Sequence, residues 1–242
     1  MDTVFTNDLT LADPDFFQSN LAKRIKHILQ AKAPQSSFIW NDLNILWDQK
    51  ISARPAILHP DIFYWIENNR SHSTYGESEL LELSNIVKKI INSIEIFGQS
   101  RQDFLIGIDV KNDSMKVAER LRRAEMAAVD AGAKISLNII PCDVELLKKS
   151  LNLLQQNNQA FLSEIERFIT NIVMFEGKTI IGFTDFHNHG AIFIKYAMVK
   201  DNPIFLAEEI VHESSHTVLN TIMVLDPLIK NPKNQRYKTP LR

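Results

Sequence analysis

Residues 210–220 read IVHESSHTVLN. Within them His212, Glu213 and His216 stand in the spacing H-E-x-x-H. On an α-helix, at 100° per residue, the two histidines are only about 40° apart in azimuth and one turn apart along the axis, so both imidazoles project the same way. Two nitrogens placed like this can reach one metal ion. Glu213 projects about 100° round from His212. There a carboxylate can face a metal-bound water as general base or acid. The motif therefore predicts a metal site, and it sets the question of what completes it. The plain alternative is two histidines at a core margin with a surface glutamate.

The flanking residues predict that the motif is helical. In DNPIFLAEEIVHESSHTVLNTIMVL (201–225) Asn202 is placed as N-cap and Pro203 at the first helical position, with Glu208 and Glu209 just after the first turn. Pro227 closes the segment. Ile204, Ala207, Val211, Val218, Ile222 and Leu225 fall in one apolar sector, with the histidines at its margin. That pattern predicts a metal site set against the core. Ser214 and Ser215 are small and leave room around the ligands. Glu208 falls within the sector, as a carboxylate beside the site or a charge reaching to the rim.

Two histidines do not complete a catalytic site, which usually takes three protein ligands. The extended pattern with a third histidine fails, because Leu219 stands at its glycine and Ile222 at its histidine. No glutamate follows Glu213 and no histidine follows His216. The candidates are Asp226, just after the helix, and the upstream TDFHNHG (184–190), with Asp185, His187 and His189. On a strand those three alternate residues share a face. A solvated polar turn is the plainer reading of that stretch.

Around this unit the chain predicts an α+β protein. Residues 1–100 read as a mainly helical N-terminal region, with helices over 16–32, from Pro60 onward, and over 77–97. In the first, Phe17, Leu21, Ile25, Ile28 and Leu29 share a face. Residues 101–242 read as a mixed α/β region. It has strands over 103–110 and 134–141, a helix over 113–132, helical segments over 143–158 and 159–175, and a β-rich stretch over 178–199 with a turn near HNHG.

Composition excludes several classes. Of 242 residues, 45% are hydrophobic, enough for a substantial core, and the net charge of −2 offers no basic surplus for nucleic acid. With seven glycines and no G-x-G-x-x-G or G-x-x-x-x-G-K, a phosphate loop is not expected. One cysteine, Cys142, allows no intrachain disulfide and reads as a small buried apolar residue. The first residues, MDTVFTNDLT, lack a basic signal-peptide region, and no apolar run approaches the ~20 residues of a membrane span. A cytoplasmic protein without membrane or nucleic-acid partners is expected, with its oligomeric state left open.

Several stretches resemble the HExxH-motif peptide-modification proteins that accompany ribosomally made peptides. These are LHPDIFYWI (58–66), FLSEIERFITNIVMF (161–175) as a helix leading into a strand, HGAIFIKY (189–196) with LAEEIVHESSH (206–216), and YKTPLR (237–242). Their order spans residues 55 to 242. The resemblance implies a zincin-like strand-plus-helix unit. It also implies an iron(II)- and 2-oxoglutarate-dependent peptide β-hydroxylase, with His212 and His216 on the metal and a peptide as substrate. Members of the family continue past the last element to a further histidine-containing segment. This sequence ends at Arg242, so a C-terminally short member is expected. Arg242 is then a candidate for pairing with a carboxylate co-substrate.

Two other functions stay open. A zinc peptidase would use Glu213 to activate water and pair its substrate with the AIFIKY strand. A non-catalytic relative would bind a peptide or partner without turnover.

Overall fold

The computed structural model describes residues 14–51, 59–97, 138–177, 181–184 and 188–225. The strand expected over 103–110 and the helix expected over 113–132 lie outside these residues. The described chain is α+β: mostly helical, with a small mixed four-stranded sheet. None of its helices is long and apolar enough to cross a membrane.

Four helices make up the N-terminal part: α1 (Pro14–Lys32), α2 (Phe38–Leu46), α3 (Pro60–Asn68) and α4 (Glu77–Phe97). Their starts follow from local chemistry. Ser37 caps α2, its Oγ accepting from the Trp40 N–H at 3.1 Å. Pro60 opens α3, and the His59 Nδ1 accepts from the Asp61 N–H at 3.2 Å. α2 runs on into a π-helical turn, Trp47–Ile51, which buries both Trp47 and Ile51. A core forms around Leu21, Leu29, Leu43, Trp47, Trp65 and Leu83. The expected face of α1 holds at Leu21, Ile25 and Leu29, but Ile28 is 42% exposed. Ala22 takes a buried place instead.

The second part alternates helix and strand. It contains β1 (Asn138–Ile139), α5 (Val144–Asn157), α6 (Gln159–Phe168), β2 (Asn171–Glu176), β3 (Gly182–Phe183), β4 (Ala191–Lys195), α7 (Tyr196–Val199) and α8 (Pro203–Leu225). Asp143 caps α5, accepting from the Leu146 N–H at 3.0 Å. Asn158 ends α5 and caps α6, accepting from the Phe161 N–H at 3.0 Å. The stretch 159–175, expected as helical from its apolar spacing and as a helix leading into a strand from the resemblance, divides in the second way: helix to Phe168, then strand from Asn171. The β-branched run Ile169, Thr170, Ile172 and Val173 favours the extended backbone once a sheet partner is present. Conversely, residues 196–199 are a short helix where strand was expected.

The strand order is β1-β2-β4-β3, with β2 and β4 parallel and both outer pairs antiparallel. β4 therefore lies between β2, paired along its length, and β3, paired at Phe193 and Ile194. Gly190, at φ 89°, turns the chain into β4, and its carbonyl accepts from the Thr170 and Asn171 N–H groups. One sheet face carries Ile172, Met174, Ile192 and Ile194, which pack with α5, α6 and α8. The other carries Val173, Phe175 and Phe193, with Phe183 stacked on Phe193 at 4.3 Å. α1 packs against α8, and the Gln18 amide donates to the Arg167 carbonyl at 3.3 Å.

Candidate metal and substrate site on helix α8

α8 begins where its sequence predicts. The Asn202 side chain accepts from the Phe205 N–H at 3.1 Å, with Pro203 next. The sector that faces the core overlaps the apolar one only in part. Leu206, Ala207, Ile210, Glu213, Ser214, Thr217 and Thr221 are buried, Val211 and Val218 are half-buried against the core, Ile222 is half-buried, and Ile204 is 62% exposed. The buried face lies roughly 100° away from the expected one. Polarity is tolerable there because the threonines bond to their own helix. The Thr221 hydroxyl donates to the Thr217 carbonyl at 3.0 Å, and Thr217 makes a longer bond to the Glu213 carbonyl at 3.5 Å.

This rotation separates the motif residues. His212 and His216 are exposed rather than shielded by the core, and their Nε2 atoms lie 3.3 Å apart. One imidazole N–H donates to the lone pair of the other. Two nitrogens about 2.0–2.1 Å from one tetrahedral metal are also about 3.4 Å apart. The separation of the pair is that of two ligands on one such metal.

Glu213 turns the other way, to the edge strand β3, and is 3% exposed. The Thr184 hydroxyl lies 2.8 Å from its Oε2 and 3.1 Å from its main-chain carbonyl, and donates to them. A Cβ on Gly182 would sit 2.8 Å from Oε1 and 3.2 Å from the Phe193 carbonyl. The carboxylate thus occupies the space that a side chain at 182 would take. Burial raises its pKa above the ordinary carboxylate value, against the lowering effects of the Thr184 bond and the two imidazoles. Desolvation is the largest effect, and the Glu209 carboxylate adds to it.

His189 does not join the pair. It is fully buried, its Nε2 3.4 Å from the Thr221 hydroxyl and its ring 4.6 Å from that of Phe63. Thr221 gives its single hydrogen to Thr217, so its oxygen is left to accept from the His189 N–H. Burial pushes the His189 pKa down to about 4. Asp185, His187, Asp226 and Arg242 lie outside the described residues. Among the described residues no group of three or more His, Cys, Asp or Glu side chains is placed to hold a metal.

The imidazoles stand at the end of a groove of ≈ 660 Å³ between α5 and α8. Leu153 and Leu154 form one wall, and Ile204, Ala207 and Val211 the other. Glu208 is exposed at the rim, one turn before His212. The half-used apolar sector of α8 is this wall.

Sequence reasoning missed Thr184, Gly182, Thr217, Thr221 and the α5 wall. Two signals were present: the small residues Gly182 and Thr184 alternate on one strand face, and Thr217 and Thr221 share one helix face. Cys142 is partly buried, and burial beside Asp143 pushes its thiol up to about 11, so it is no nucleophile at neutral pH. The sequence matches no protein-family model and no curated protein.

Proposed function

We propose that this protein is a metal-dependent peptide-modifying enzyme of the hydroxylase type. On this reading His212 and His216 hold iron(II), 2-oxoglutarate is the co-substrate, and a peptide lies in the α5–α8 groove. The observation that carries it is the 3.3 Å approach of two exposed imidazole nitrogens at the end of an apolar groove. Iron with 2-oxoglutarate supplies the oxidising power to put one oxygen atom of O₂ into a peptide C–H bond, the other going to succinate as CO₂ leaves.

The chain's own residues divide the work. The imidazole pair supplies two neutral nitrogen donors. Glu213 is a positioning residue, locking α8 to β3 through Thr184 and so fixing the direction of the imidazoles. The third ligand comes from Asp185 or His187 in preference to Asp226. Asp185 directly follows Thr184, which already touches the motif helix. Asp226 lies ten residues beyond His216 in the sequence, outside the described residues. The lining of the groove has no cation among the described residues. Arg242, outside the described residues, is the candidate from the sequence for pairing with a 2-oxoglutarate carboxylate. With edge strand β3 lying against the motif helix, the unit is zincin-like on this reading.

The peptidase reading fares worse. Glu213 is buried under β3 and bonded to Thr184, where a water-activating base would face the metal. The AIFIKY strand is paired with β2 on one side and, at Phe193 and Ile194, with β3 on the other, which leaves little of it for a substrate strand.

The test is anaerobic loading with iron(II), followed by O₂, 2-oxoglutarate and a candidate peptide. Succinate formation that depends on His212 and His216, with a peptide gaining one oxygen, is the expected result. Selective zinc retention with peptide cleavage would overturn it.

A further inference from the structure

The groove has a chemistry of its own, and it restricts what enters. Its walls are Leu153 and Leu154 on α5 and Ile204, Ala207 and Val211 on α8. A polypeptide with bulky apolar side chains would remove these surfaces from water, at roughly 25 cal/mol per Å². Among the described lining residues, Glu208 brings the one carboxylate, and it is exposed. With no lysine or arginine to answer it among the described lining residues, the Glu208 end of the groove disfavours acidic segments. It favours a segment whose apolar residues are accompanied by a lysine or arginine.

The geometry also sets a register. Glu208 and His212 are one helical turn apart, about 6 Å along α8. An extended peptide covers that rise in about two residues. A basic residue paired to Glu208 therefore places the side chain two positions along at the imidazole pair.

We infer that the α5–α8 groove is the substrate site for a polypeptide segment that pairs bulky apolar residues with a basic residue. The basic residue is held by Glu208, two positions from the residue presented to His212 and His216. This rests on the enzymatic reading above for the identity of that end of the groove, and adds the substrate class to it.

The experiment selects a displayed random-peptide library on the immobilised full chain in the presence of a chelator. The consensus peptide is then measured by fluorescence anisotropy on wild type, Glu208→Lys and Ile204→Asp. The expected consensus has two bulky apolar residues and one lysine or arginine. Binding weakens about fivefold or more on Glu208→Lys, beyond the range of a simple exposed ion pair because the charge is reversed. Changing the peptide's basic residue to glutamate restores it. Ile204→Asp, at an exposed position that the fold tolerates, weakens wild-type binding by about tenfold through loss of apolar burial. Selection of no peptide, or of peptides indifferent to both substitutions, overturns the inference. So does a dimer, seen by light scattering, that Ile204→Asp dissociates, since the groove would then belong to a second copy. Cobalt(II) absorbance reads metal binding separately. Lost peptide binding with intact metal binding overturns the groove alone; intact peptide binding without metal binding overturns the enzymatic reading alone.

Discussion

The Thr184 hydroxyl donates across 2.8 Å to the buried carboxylate of Glu213, joining the edge strand to the helix that carries both exposed imidazoles. Thr184→Val keeps the shape and removes the donor. A buried charged acceptor left without it costs about 1–3 kcal/mol. Urea unfolding should show a loss in that range, with Thr184→Ser close to wild type. A Val variant as stable as wild type would mean that the bond holds nothing.

Gly182 is required by contact rather than by backbone angle. A methyl group there meets Glu213 Oε1 at 2.8 Å and the Phe193 carbonyl at 3.2 Å. Elsewhere in a strand glycine to alanine is stabilising. Here Gly182→Ala should destabilise by about 1–3 kcal/mol, the usual cost of overpacking. Part of the loss should disappear when Glu213→Ala is added, giving a coupling of at least about 0.5 kcal/mol in a double-mutant cycle. Strict additivity would show that the two do not compete for the same space.

Metal binding should need both imidazoles and little else of the fold. His212 and His216 are exposed, so alanine at either should change stability by no more than about 0.5 kcal/mol. Each substitution should abolish the thermal shift that added zinc, cobalt or iron(II) produces in wild type. A shift that survives both would place any metal somewhere else.

His189 makes stability depend on acid. Its folded-state pKa is held at about 4 by burial, below the ordinary value of 6.5. A base with a depressed folded pKa contributes stability above its unfolded pKa, and that contribution is lost as pH falls from about 6.5 to about 4. The difference corresponds to about 3 kcal/mol as an order of magnitude. His189→Gln should lose that part of the pH dependence while leaving the carboxylate-driven part. Unfolding free energies measured between pH 4 and 7 with parallel slopes for both proteins would refute the assignment.

The start of α8 offers a plainer check. Asn202→Ala removes the cap on Phe205 and should cost about 1 kcal/mol, read as a lower Tm.

The sequence by itself determined the start of α3, the limits of α4 and α8, the cap at Asn202, and the α+β class. It also determined that His212 and His216 share one side of a helix. All of these depend on neighbours within a turn or two, where propensity, capping and the 3.6-residue period act alone. Only the tertiary structure decided which side of α8 is buried. Periodicity sets azimuths relative to one another, but not which sector meets a partner. Thr217 and Thr221 read as polar, yet their hydroxyls are satisfied within the chain and they take the core side. Ile204 reads as core and instead lines a groove, while Val211 is shared between core and groove. The division at Phe168 had the same cause, since Asn171–Glu176 is a strand because β4 and β1 flank it. That choice also sent Glu213 under β3 and left the imidazoles facing the groove, because one rigid helix cannot turn all three motif residues to the same surface.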